Sequence, residues 1–316
     1  MKSERTDLSP TDSVIPLILS LLFVLSFSTT TSPIYAGWRF WYGGDSGVFQ
    51  EMGYCIIYGK RPYIDFFDHK GPVLFAIQAL GLTISRNWGI MALQVLSLFV
   101  TLVYCFKTSS LFINHRATKH TIILSALFVL FAYYQRGNTS EEWCLPFISV
   151  CVYLYLKEKC TDGDVPTWIF LMMGLSSGFI FLIRANRAAP ILGFFIYDCV
   201  INLRNRRFSK LITNLALVAS GAFFVVAVSI ISFIVLYGIE VTKEMLYATF
   251  TFNILYIHNG IGNTGTIQAI KFITPLLFFV IITATSINKT SSPTCFTLIL
   301  TYLISAIACG TKCFDL

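Results

Sequence analysis

Long apolar runs separated by short polar hinges dominate this chain. A helix needs roughly 20 apolar residues to cross a hydrocarbon core. On that measure the pattern predicts about nine transmembrane helices, near 14–35, 88–107, 121–135, 143–156, 167–183, 188–203, 211–238, 268–287 and 294–309. The runs 121–135 and 143–156 are short for a span, so the polar loop 135–142 between them is expected below the membrane surface, lining a cavity. Two other stretches predict interfacial helices. Residues 45–59 place Val48, Phe49, Met52, Cys55 and Ile56 at helical spacing, with Gln50 and Glu51 turned away. Residues 72–84 reach only about 20 Å as a helix, too short to span.

The expected fold is therefore an all-α polytopic membrane protein with a single transmembrane domain over 1–316. It has a first span at 14–35, an outer loop with two interfacial helices at 36–87, and the remaining spans at 88–309. Composition agrees: 55% of residues are hydrophobic and 12% charged, against about 25% charged in soluble domains. The formal charge of +7 arises from cations at span ends. Clusters at 107–119, 157–159 and 204–210 read as cytoplasmic hinges. No aromatic-and-basic module points to nucleic acid, which is excluded as a partner. Nine cysteines without a C-x-x-C pair read as small buried hydrophobes. The four scattered histidines argue against a His-based metal cluster, so no metal ligand is assigned. The apolar N-terminal run reads as a retained anchor, because further spans follow it.

This topology puts four polar segments on the outer face: 36–71, 135–142, 184–187 and 239–267. The candidate chemistry lies within them. Asp45, at the start of the first interfacial helix, is either a helix N-cap or a base for a substrate hydroxyl. Asp65, Asp68, His69 and Lys70 form either a solvated loop with local ion pairs or, with Lys70 at the positive end of a helix starting at Pro72, a phosphate seat. Arg184 and Arg187 are snorkelling cations or ligands of an anion such as a lipid phosphate. Glu141 and Glu142 are first-turn acids, sugar-hydroxyl ligands or supports for Asp45. Asn253, Tyr256, His258 and Asn259 form a polar-aromatic loop suited to sugar contact.

Asp45-Ser46, Gly59, Pro62-Tyr63, the block Asp65-Phe66-Phe67-Asp68-His69-Lys70-Gly71-Pro72, and then Gly178, Arg184 and Asn186 resemble bacterial GT-C integral-membrane glycosyltransferases. The group in question includes the aminoarabinose transferases and protein O-mannosyltransferases, especially short forms. The resemblance implies a polyprenyl-phosphate sugar donor, a lipid or glycan acceptor, and a site on the outer face of the cytoplasmic membrane. It further implies Asp45 as the catalytic residue, Lys70 and Arg184 as donor-phosphate ligands, and an acidic position at Glu141 or Glu142. His69, Asp68 and Arg187 join the expected substrate-binding set. Some relatives use a divalent metal and others do not, which leaves metal dependence open. Relatives usually continue into an outer-face Gly-Arg and His-Tyr element where this chain ends, so a C-terminally shortened form is expected, with an inactive relative as one alternative. The rival class is a transporter or flippase for lipid-linked saccharides. That class calls for mid-membrane ionisable residues and repeated halves, and this sequence displays neither.

Overall fold

A computed structural model describes residues 10–35, 44–113, 115–160, 165–253 and 255. Among the described residues the chain is all-α, with one isolated bridge between Pro62 and Phe66. In order the helices are α1 (Pro10–Phe27), α2 (Asp45–Ile57), α3 (Pro72–Ile84), α4 (Gly89–Ser110), α5 (Arg116–Tyr133), α6 (Ser140–Cys160), α7 (Thr167–Arg184), α8 (Ala189–Arg204) and α9 (Phe208–Leu246). Gly89–Ser110, Thr167–Arg184 and Phe208–Phe252 are long and apolar enough to cross a membrane. The spans expected at 268–287 and 294–309, and the loop residues Tyr256, His258 and Asn259, lie outside the described residues.

Local chemistry explains the helix ends. Pro72 opens α3 at a first-turn position, where its missing N–H costs nothing. α1 stops at Phe27, short of the expected 35, because Ser28–Ser32 offer competing side-chain bonds. Ser28 Oγ meets Thr31 Oγ1 at 2.6 Å, Ser32 Oγ donates to Leu25 O at 2.7 Å, and Thr31 Oγ1 donates to Gln94 Oε1 of α4 at 2.5 Å. α9 breaks at Gly238, whose φ of 85° is open to glycine but strained for other residues. Beyond the break the chain runs into a π-helical segment, Tyr247–Phe252, and Asn253 Nδ2 donates to His69 O at 2.8 Å.

Small residues let α7 and α9 approach closely, as in other membrane helix pairs. A Cβ at Gly174 would lie 2.3 Å from Val218 O, and one at Gly221 would lie 2.7 Å from Leu171 O. Gly178 meets Val225 and Ala222 in the same interface.

A second constraint is polar. The loop 135–138 is left-handed throughout, with φ of 45° at Gln135, 74° at Arg136, 83° at Gly137 and 57° at Asn138. For non-glycine residues that conformation costs roughly 1–2 kcal/mol each. Asn138, fully buried, holds the loop in place. Its Nδ2 donates to Ser46 Oγ on α2 and Gln78 Oε1 on α3, each at 3.0 Å. Its Oδ1 accepts from Gln78 Nε2 at 2.8 Å and Trp143 Nε1 at 3.1 Å, and its backbone N–H donates to Glu142 Oε2 at 2.9 Å. Glu142 also accepts from Gln94 Nε2 and from the Tyr134 hydroxyl. One amide thereby ties α2, α3 and α6 together.

Thermal unfolding in detergent tests both constraints. Gly174→Leu or Gly221→Leu should lower the midpoint, by a destabilisation of about 1–3 kcal/mol from overpacking. Val235→Leu, on an exposed face of α9, should leave it unchanged. Asn138→Ala leaves buried partners unsatisfied at about 1–3 kcal/mol per group, and should lower the midpoint more than Ser220→Ala at an exposed hydroxyl.

Candidate active site

Asp45 is the first residue of α2, and the cap position belongs to Gly44, whose φ of 92° and missing side chain let the chain turn into the helix. The cap expected of Asp45 is therefore supplied by its neighbour. Asp45 still gains from the helix's positive end. It is exposed, and no hydrogen bond or ion pair among the described residues engages its carboxylate. The residues just behind it are anchored. Ser46 is buried, accepting from Asn138 and meeting Thr30 Oγ1 at 2.7 Å, while Phe49 packs into the core at 1% exposure.

The loop 59–71 forms the second part. Arg61 and Asp65 close it locally: the Arg61 backbone N–H donates to Asp65 Oδ2 at 2.7 Å and Nη2 reaches Oδ1 at 3.0 Å. The Arg61 backbone bond, then its guanidinium, hold the Asp65 carboxyl below its ordinary range. Asp65 is thus a local brace and stands apart from the residues further along. Asp68 Oδ1 accepts from the Lys70 backbone N–H at 2.8 Å and lies 4.0 Å from Lys70 Nζ. Lys70 Nζ meets His69 Nε2 at 3.1 Å and sits over the Phe49 ring, 5.9 Å from its centroid. The ammonium is thus held, largely buried, against α2. Asp45 lies about one helical turn, about 6 Å of rise, along the same face of α2 from Phe49.

Gly71 explains how this loop reaches α7. Its Cα packs against the Leu182 backbone so closely that an added Cβ would overlap the Leu182 carbonyl. Two residues on, Arg184 ends α7, and Arg187 follows in the short 3-10 turn Ala185–Ala188. Both guanidinium groups bond Glu141 Oε1, Arg187 Nη2 at 2.7 Å. Arg184 Nη1 also donates to Ser140 Oγ at 3.0 Å. A protein carboxylate is therefore the anion that both arginines meet. Glu141 bridges them, whereas Glu142, next in sequence, turns inward to the Asn138 network. The two acids have separate duties.

Asn253 lies with this group through its bond to the His69 carbonyl. Phe252 lies tilted against His69 and edge-on to Phe67, at 6.0 and 5.2 Å between ring centroids. Among the described residues no three His, Cys, Asp or Glu side chains converge on one point as metal ligands.

Sequence reasoning gave no role to Gln78, Gln94 or Asn138, nor to Asp198 at the far end of the bundle. Asp198 is 3% exposed and accepts from Asn202 and Asn214 Nδ2 at 2.6 and 3.0 Å, with Lys159 Nζ at 3.5 Å. The available signal was a lone amide or acid inside an apolar run, which must find a partner.

Against known proteins, the family model described as dolichyl-phosphate-mannose-protein mannosyltransferase matches residues 69–232, just over half of the chain. That range includes His69, Lys70, Glu141, Glu142, Arg184 and Arg187, and begins after Asp45. No curated protein and no solved structure matches the chain. Its all-α apolar architecture and this match agree: the chain belongs to the dolichyl-phosphate-mannose-protein mannosyltransferase family, membrane glycosyltransferases that draw on lipid-linked sugar donors.

Proposed function

We propose that this chain forms a single GT-C-like transmembrane domain. In this reading it moves a sugar from a polyprenyl-phosphate donor to an acceptor hydroxyl at the outer face of the cytoplasmic membrane. The observation that carries it is the Lys70 ammonium over Phe49, one turn along α2 from the exposed carboxylate of Asp45. A base at the start of α2 and a cation from the following loop are thereby brought to one short helix.

In the proposed step Asp45 takes the proton of the acceptor hydroxyl as its oxygen attacks the anomeric carbon. The bond from that carbon to the phosphate oxygen breaks, and its electron pair leaves with the polyprenyl phosphate. Lys70, assisted by His69, meets the growing negative charge. Arg184 gives the second contact through its Nη2 edge, which carries no hydrogen bond among the described residues, while Glu141 holds the guanidinium plane in place. Arg187 shares the Glu141 anchor, and Asp68 orients the Lys70 backbone. A single displacement of this kind inverts the anomeric configuration.

Two experiments test the assignment in membrane vesicles supplied with a polyprenyl-phosphate sugar. Asp45→Asn should cut transfer by about 10²–10⁴-fold, the range of a lost general base, with membrane expression unchanged. Wild-type transfer by this variant would refute the role of Asp45. Lys70→Gln should raise the KM for donor about ten- to a hundredfold, as expected for a lost charge-assisted contact of about 1.5–3 kcal/mol. An unchanged donor KM would remove Lys70 from the donor site.

A further inference from the structure

A shallow polar pocket opens between the end of α1, the face of α2 and the turn joining α3 to α4. Its walls are Thr30, Thr31, Gln50, Arg86, Asn87 and Trp88. We propose that it is a saccharide subsite for the acceptor, selective for a sugar bearing an anionic substituent, either a phosphate or a carboxylate. The acceptor assignment rests on the function proposed above; the binding site itself does not.

Three observations support it. Gln50 is 8% exposed, and its Nε2 is occupied by Thr30 O and Ser46 Oγ, at 3.4 and 3.2 Å. Its Oε1 carries no hydrogen bond among the described residues and is open to accept one from a ligand hydroxyl. Trp88 is half exposed and offers a flat apolar face of the kind on which a sugar ring stacks. Arg86 meets the Tyr58 ring at 6.0 Å, and no carboxylate lies within ion-pair distance among the described residues. An amide, an aromatic face and an unneutralised guanidinium together match a pyranose with a negative group. Trp and Arg also serve as simple interfacial anchors, and the binding test separates that role from ligand contact.

The placement relative to Asp45 explains why this subsite suits the acceptor. On α2, Asp45 and Phe49 share the stripe that meets Lys70, while Ser46 and Gln50 form the neighbouring stripe, about 100° around the helix. Thr30 in the pocket wall bonds Ser46 Oγ at 2.7 Å, directly beside Asp45. Asp45 therefore heads one stripe and adjoins the head of the other, with the proposed donor cations on one side and the pocket on the other. Asp45 and Gln50 differ by about 7.5 Å of helix rise, a distance that a short saccharide covers.

Saturation-transfer NMR on the solubilised full chain tests the subsite without relying on catalysis. The probes are glucuronate, glucose 6-phosphate, glucose and inorganic phosphate. Both acidic sugars should bind at least about tenfold tighter than glucose, or about 1.4 kcal/mol, and inorganic phosphate should bind more weakly than glucose 6-phosphate. Arg86→Gln should erase the acidic preference and leave glucose unchanged. Trp88→Ala should weaken all three sugars, and Trp88→Phe should restore them, with unfolding midpoints confirming that each variant is folded. Equal binding of acidic and neutral sugars, or indifference to both substitutions, would show interfacial anchors only and overturn the proposal. Inorganic phosphate binding as well as glucose 6-phosphate, untouched by Trp88→Ala, would also overturn it. Transfer by Asp45→Asn tests the catalytic assignment, and probe binding by the wild-type, Arg86 and Trp88 variants tests the subsite, so the two failures are read in different measurements.

Discussion

A buried amide with every group satisfied underlies the placement of this site. Asn138 makes five hydrogen bonds to α2, α3 and the first turn of α6. In an apolar medium an unpaired polar group is costly, so these partners cannot drift independently. The cost falls on a loop with four successive left-handed residues, which persists because the amide over-determines it. The result is a fixed N-terminus for α2 where an otherwise short, exposed helix would be free to slide along a membrane surface.

The glycines solve a different problem, that of approach. Gly71 lets the Lys70 loop lie directly on the backbone of α7, and Gly174 and Gly221 bring α7 against α9. α9 in turn carries the segment past Gly238 that returns to His69 through Asn253. The cationic loop is therefore clasped from three directions: by Phe49 of α2, the end of α7, and the chain beyond the α9 break. Polar cross-links set the position of the α2 terminus, and small residues set the distance of the cations from it.

Much of the helical layout was legible in the pattern. Residues 72–84 form a helix with the expected bounds because Pro72 begins it and an extended Ser85 ends it. The span expected to finish at 238 breaks there because glycine alone tolerates that φ readily. The first span was drawn too long, since Ser28–Ser32 count as tolerable in a hydropathy window while their hydroxyls compete for the backbone. Contacts between distant residues were not legible. Asn138 and Ser46 are separated by 92 positions, and nothing in local spacing links them. Local spacing likewise gives no link between the arginine pair and Glu141, 43 and 46 positions earlier, which meets both guanidinium groups. Periodicity reports which face of a helix is apolar; it carries no information on which polar groups find each other.

That arginine–glutamate contact also bears on the proposed chemistry. Arg184, Arg187 and Lys70 carry three positive charges, and Glu141 and Asp68 return two negative ones. These five groups leave a single excess positive charge, before the Asp45 carboxylate at the start of α2 is counted. A fully paired cluster would offer a phosphate little, and three unpaired cations in a partly buried site would repel one another. The balance suits a donor whose phosphodiester carries one negative charge. When the sugar departs, that phosphate becomes a monoester with a charge of about −1.5 to −2 at neutral pH. Under the proposed assignment the attraction to Lys70 and Arg184 would grow along the reaction coordinate and be largest after the bond has begun to break. Binding that strengthens in the transition state accelerates the reaction, whereas equal binding of donor and transition state would only hold the donor more tightly. In the proposed reaction Glu141 would therefore do more than orient the two arginines: it would keep the resting site from holding the donor as tightly as the departing phosphate.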